Sequence, residues 1–76
     1  MNLKSLEAFY WVVTLNSFNK AAAKLQTTQP AVSQKITALE NDLGFKVLDR
    51  GFRQLKPTHK GMTLFKYAEK FMRLET

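Results

Sequence analysis

Apolar residues recur at helical spacing in four separate runs of this chain, each broken by short polar stretches. The spacing predicts a first helix from a capping Asn2 to about Leu15, with Leu6, Phe9, Tyr10 and Val13 as its buried stripe and Leu3 and Trp11 at the margin. Asn16 follows, a residue that tolerates the left-handed conformation at a helix end. Ser17 then caps a short second helix, Phe18 to Leu25, with Phe18, Ala22 and Leu25 pointing inward. Gln26 and Thr27 form a turn, and Thr28 opens a third helix that runs to about Leu43 and ends at Gly44. Pro30 sits there in the first turn, where its missing N–H costs nothing, and Val32, Ile36, Leu39 and Leu43 form the apolar stripe. Periodicity then changes. Lys46 to Arg50 and Gln54 to Lys56 read as two short strands around Gly51-Phe52-Arg53. Thr58 caps a fourth helix whose broad apolar face holds Met62, Leu64, Phe65, Ala68, Phe71 and Met72.

Two features give this pattern an architecture. The Ala21-Ala22-Ala23 run keeps the second helix thin, and small side chains let helices cross closely. A short turn between two such helices predicts a helix–turn–helix, here followed by a hairpin wing. The fold class is therefore mainly α, a winged helix–turn–helix, with residues 1–57 as the domain and residues 58–76 as the start of a further helix. That last helix is still in full pattern at Thr76, so the expectation is a fragment of a longer protein.

The polar side of the third helix carries Gln29, Ser33, Gln34 and Thr37, with no acidic residue among them. Short hydroxyl and amide side chains suit a surface lined with both donors and acceptors, such as base edges in the DNA major groove. A solvated face that happens to be neutral is the alternative. Composition favours the first reading. The 76 residues carry a net charge of +6, and the excess is uneven: four basic residues stand against three acidic ones up to Gly44, and eight against three from Phe45 onward. Such a balance favours nucleic acid. Anionic membrane is the weaker partner, because the basic residues are interleaved with turn formers and do not line one amphipathic helix. No segment is apolar enough to span a bilayer, and Lys4, Glu7 and Asn16 interrupt the opening before a signal peptide's apolar region can form. The chain has no cysteine, which suits a cytoplasmic protein, and a single histidine, His59, so neither metal nor cofactor is expected.

The run Ser17-Phe18, Ala21-Ala22, Leu25, Gln29-Pro30-Ala31-Val32-Ser33, Ile36, Leu39-Glu40, Leu43-Gly44, Leu48, Arg50, Arg53, Thr58 and Gly61 closely resembles the N-terminal domain of LysR-type bacterial transcriptional regulators. The resemblance covers nearly the whole chain from Leu3. It implies double-stranded DNA as partner, read as an interrupted palindromic operator by a homodimer. It also implies pairing through the fourth helix, a higher oligomer in the full-length protein, and a small-molecule effector bound by a larger domain absent here. Three positions depart from the pattern. Phe52 stands where a glycine or small polar residue is usual, which implies a stiffer wing tip. Pro57 replaces an apolar residue and implies a shortened second strand. Thr27 takes a turn position usually held by an aliphatic residue.

The candidate DNA-binding residues follow from both arguments. Thr28 and Gln29 lie at the helix start, and the Gln29 amide suits adenine. Pro30 and Ala31 serve either a thymine methyl or the helix start alone. Ser33 and Gln34 should face the duplex one turn on, with Lys35 and Thr37 on the flanks as backbone contacts. Arg53 at the wing tip is placed for a narrow minor groove. Arg50 either binds phosphate or braces the wing. Ser17, Asn19 and Lys20 begin the second helix, where Ser17 serves a phosphate or simply caps. The dimer candidates are Met62, Leu64, Phe65, Ala68, Phe71 and Met72. The competing function is a winged-helix protein-interaction module. An enzyme has little support, since His59 has no obvious carboxylate partner and no glycine-rich phosphate loop is present.

Overall fold

The computed structural model describes residues 2–51 and 54–75. Helix α1 spans Leu3–Leu15, α2 Phe18–Lys24, α3 Gln29–Leu43 and α4 His59–Glu75. Strands β1, Leu48–Arg50, and β2, Leu55–Pro57, lie between α3 and α4 as an antiparallel pair with Leu48 opposite Pro57 and Arg50 opposite Leu55.

Each helix begins and ends where its local chemistry requires. Asn2 Oδ1 accepts the Ser5 N–H at 2.9 Å, Ser17 Oγ that of Lys20 at 3.0 Å, and Thr28 Oγ1 that of Ala31 at 3.2 Å. These bonds satisfy donors that have no partner within the helix. Asn16 and Gly44 close α1 and α3 in the left-handed region, at φ 53° and 81°. The turn between α2 and α3 has no glycine, and Gln26 takes the left-handed conformation itself at φ 55°.

Helix α1 is the centre of the packing, touching α2, α3 and α4. Its fully buried residues include Ala8, Phe9 and Val12, while Tyr10 and Val13 are only half-buried. The expected stripe through Tyr10 and Val13 is therefore rotated. A helix with neighbours on several sides buries a wider arc than one stripe, and Ala8 and Val12 fill its far edge. In α2 the closely packed residues are Ala21 and Ala22, with Phe18 and Leu25 half-buried beside them. Val32, Ile36 and Leu39 of α3 are wholly buried and Leu43 half so, as its stripe predicts.

The strands are shorter at one end and longer at the other than the sequence suggests. Lys46 and Val47 precede β1, and β2 takes in Pro57, which does not shorten it. Proline lacks only its N–H, and an outer strand of a two-stranded ribbon has an unpaired side on which that loss is harmless. Phe52 and Arg53, the proposed tip, lie outside the described residues.

Candidate nucleic-acid interface

Opposite the buried stripe of α3, Pro30, Gln34, Thr37, Ala38 and Asn41 are all exposed and fall on one side of the helix. Gln29 and Thr28 are exposed at its start, and Ala31 and Ser33 are half-buried at its edges. The first turn has no acidic residue, so the partial positive charge of that helix end is left for an anion. The Thr28 hydroxyl is committed to the cap, as is that of Ser17.

The two flanks of α3 differ. On one side Lys35 is half-buried and lines a cleft with Lys4, Glu7, Leu25, Gln26 and Thr27. On the other, Thr37 borders a hollow shared with Lys46, Asp49 and Arg50 at the wing base. Arg50 is exposed, and its guanidinium carbon lies 4.7 Å from the centre of the Phe18 ring. It thus braces the wing on the start of α2 and leaves its charge at the surface, on the side where Asn19 and Lys20 are exposed. Arg53 lies outside the described residues.

Sequence reasoning missed part of this surface and one buried residue beneath it. Ala38 and Asn41 continue the exposed row beyond Thr37, which helical spacing from Pro30 and Gln34 was enough to locate. Glu40 is the other. It lies on the apolar side of α3 and is only 7% exposed. Its Oε2 accepts the backbone N–H groups of Val47 at 2.8 Å and Leu48 at 3.3 Å, and its Oε1 is 3.7 Å from Lys46 Nζ. The signal was a single carboxylate following Leu39 and four residues after Ile36, on a stripe otherwise apolar.

The candidate dimer residues of α4 divide between two faces. Ala68 is fully buried in this chain's own core, so its methyl group has no surface left for a second chain. Phe65 is half-buried, stacked on Tyr10 at 5.6 Å between ring centres and edge-on to Phe9 at 6.4 Å. Leu64 is half-buried against the core, and Phe71 and Met72 line a groove with Leu3, Lys4 and Glu7. Met62 at 43% and Tyr67 at 65% are the large exposed hydrophobic residues among those described in α4. Among the described residues, no cluster of His, Asp and Glu is placed to hold a metal, and no helix is long and apolar enough to cross a membrane.

Residues 3–62 match the family model described as bacterial regulatory helix-turn-helix protein, lysR family. The chain is 43% identical over 72 residues to the HTH-type transcriptional regulator BenM of Acinetobacter baylyi, which covers 95% of this chain and 24% of that protein. Its fold superposes on the crystal structure of the BenM DBD in complex with catB site 1 DNA with a TM-score of 0.90 at 42% identity, covering 96% of this chain and 81% of that one. The CbnR DBD–DNA complex gives a TM-score of 0.88 at 29% identity, with 99% and 86% covered. The chain spans a quarter to a half of the length of the first curated relatives it matches.

Proposed function

The chain belongs to the bacterial regulatory helix-turn-helix proteins of the lysR family, and from that premise we propose that it reads double-stranded DNA by sequence as the operator-binding domain of a transcriptional regulator. The observation that carries this reading is the exposed row Pro30, Gln34, Thr37, Ala38 and Asn41, uncharged and bearing three hydrogen-bonding side chains, with Gln29 exposed at the helix start, Lys35 on one flank and Lys46 and Arg50 on the other. Inserted in the major groove, Gln29 and Gln34 present amides to base edges, and Pro30 and Ala31 present carbon to thymine methyls. Ser33, Thr37 and Lys35 border the groove. Asn19, Lys20 and Arg50, with the Ser17 and Thr28 helix starts, meet phosphates on either side, and Arg53 on the wing serves the adjoining minor groove. The DNA-bound neighbours named above, similar over nearly the whole of this chain, support the same docking.

The same reading assigns a two-fold dimer, paired through the outward side of α4, to an interrupted palindromic operator. Effector binding and higher assembly belong to a part of the regulator other than these residues.

Selection of bound sequences from a random duplex pool tests the reading directly. A recurring motif of two inverted half-sites is the expected result. Enrichment of no motif, with a shallow salt dependence on random duplex, instead favours a protein-docking module, since counterion release makes DNA binding steeply salt-dependent.

A further inference from the structure

The joint between α3 and the wing is held by polar groups from three segments of the chain. The N–H groups of Val47 and Leu48 are both held by the buried Glu40 carboxylate of α3. On the far side, Thr58 Oγ1 donates to the Lys46 carbonyl at 2.7 Å and accepts from the Gly61 N–H at 3.0 Å, while the Thr58 N–H donates to the Val47 carbonyl at 3.0 Å. Residues 46–48 are thus gripped through their N–H groups by α3 and through their carbonyls by the start of α4. Val47 between them is fully buried.

A neutral acceptor would satisfy the same N–H groups, and the strand start does not need a carboxylate to be buried there. Charge-assisted bonds are roughly twice as strong as neutral ones, and removing the partners of a buried carboxylate is costly, so this one holds the Val47 and Leu48 donors more firmly than an amide would. Three residues beyond Val47, Arg50 is already resting on Phe18. The bonds at residues 46–48 and the Arg50 contact together fix β1 relative to the exposed row of α3.

Resting on the DNA-binding reading above, we infer that Glu40 is a positioning residue for sequence recognition. It touches no base, but through Val47 and Leu48 it sets where the wing meets the duplex relative to α3. The number of base pairs between the half-site read by α3 and the flank read by the wing is then a property of the Glu40 grip.

The test compares two duplexes, one carrying the selected half-sites with their preferred flanks, the other with each flank displaced by one base pair. For the unaltered chain the expected preference for the first is roughly tenfold, the effect of about one mismatched base pair. Glu40→Gln keeps shape and an acceptor but loses the charge, and this preference should fall to a few-fold. Glu40→Ala should bring it close to one. General destabilisation lowers binding to both duplexes by one factor and leaves their ratio unchanged, which separates positioning from mere folding. Glu40→Gln at the unaltered ratio overturns the inference, whether or not Glu40→Ala folds, and so does a folded Glu40→Ala that retains it. An unaltered chain that binds its half-sites specifically but ignores flank position also overturns it. An unaltered chain with no sequence preference defeats instead the DNA-reading proposal on which the inference rests.

Discussion

Single residues in this domain are used for what their side chains do at one backbone position, and two make sharp tests. Gln34 is the exposed centre of the α3 row, flanked by Pro30, Thr37, Ala38 and Asn41. Gln34→Ala should weaken binding to the preferred duplex by about 1–3 kcal/mol while relaxing preference at one base position. Equal weakening on preferred and random duplex would make Gln34 a positioning contact only. Gln26 carries the left-handed conformation of the turn between α2 and α3 at φ 55°. Replacing it by glycine removes a penalty of about 1–2 kcal/mol, partly offset by the greater freedom of glycine in the unfolded chain. Gln26→Gly should therefore raise stability by roughly 0.5–1 kcal/mol in denaturant unfolding, with the midpoint moving and the slope unchanged.

At the level of elements, the start of α4 and the segment before β1 are fitted to one another at the backbone. A Cβ on Gly61 would overlap the Val47 carbonyl, an atom also held by the Thr58 N–H. Gly61 is helical and has no positive φ, so its glycine is required by close approach alone. Gly61→Ala should cost about 3 kcal/mol, the upper range for overpacking, because backbone and not a flexible side chain must move. Thermal unfolding of the variant measures the loss. A change below about 0.5 kcal/mol would mean that α4 and residues 46–48 separate freely.

For the whole molecule, the proposed two-fold pairing turns on which side of α4 is left free by this chain's own packing. Phe65 stacks on Tyr10 and meets Phe9, so a charge there would disrupt this chain's own packing before any interface. Tyr67, 65% exposed, is the better probe of pairing through the outward side of α4, where Met62 is also exposed. Tyr67→Glu should abolish dimers in sedimentation and remove the preference for paired half-sites. Stability should change by no more than about 0.5 kcal/mol, as for surface positions generally. Cooperative binding of paired half-sites by the variant would place the seam elsewhere, such as the Leu3, Phe71 and Met72 groove.

Helix starts and stops were determined by the sequence alone, because a cap or a left-handed closing residue acts within a few residues of itself. Asn2, Ser17 and Thr28 cap where expected, and Asn16 and Gly44 close where expected. Gln34 and Thr37 of the α3 row were legible for the same reason, whereas Ser33 proved half-buried and Ala38 and Asn41 were overlooked although their spacing is a property of the same helix. What needed the tertiary structure were the features shared between elements. Val12 displaced Val13 because α1 has several neighbours, and Pro57 stayed in β2 because only pairing shows which side of a strand is unbonded. Ala68 turned into the chain's own core and Phe65 toward α1, although periodicity could not say which part of a broad apolar face would find a partner in the same chain. Glu40 is the clearest case. Its carboxylate looks like an interruption of an apolar stripe until Val47 and Leu48 are brought against it, and burial of a charge makes sense only once its hydrogen-bond donors are in place.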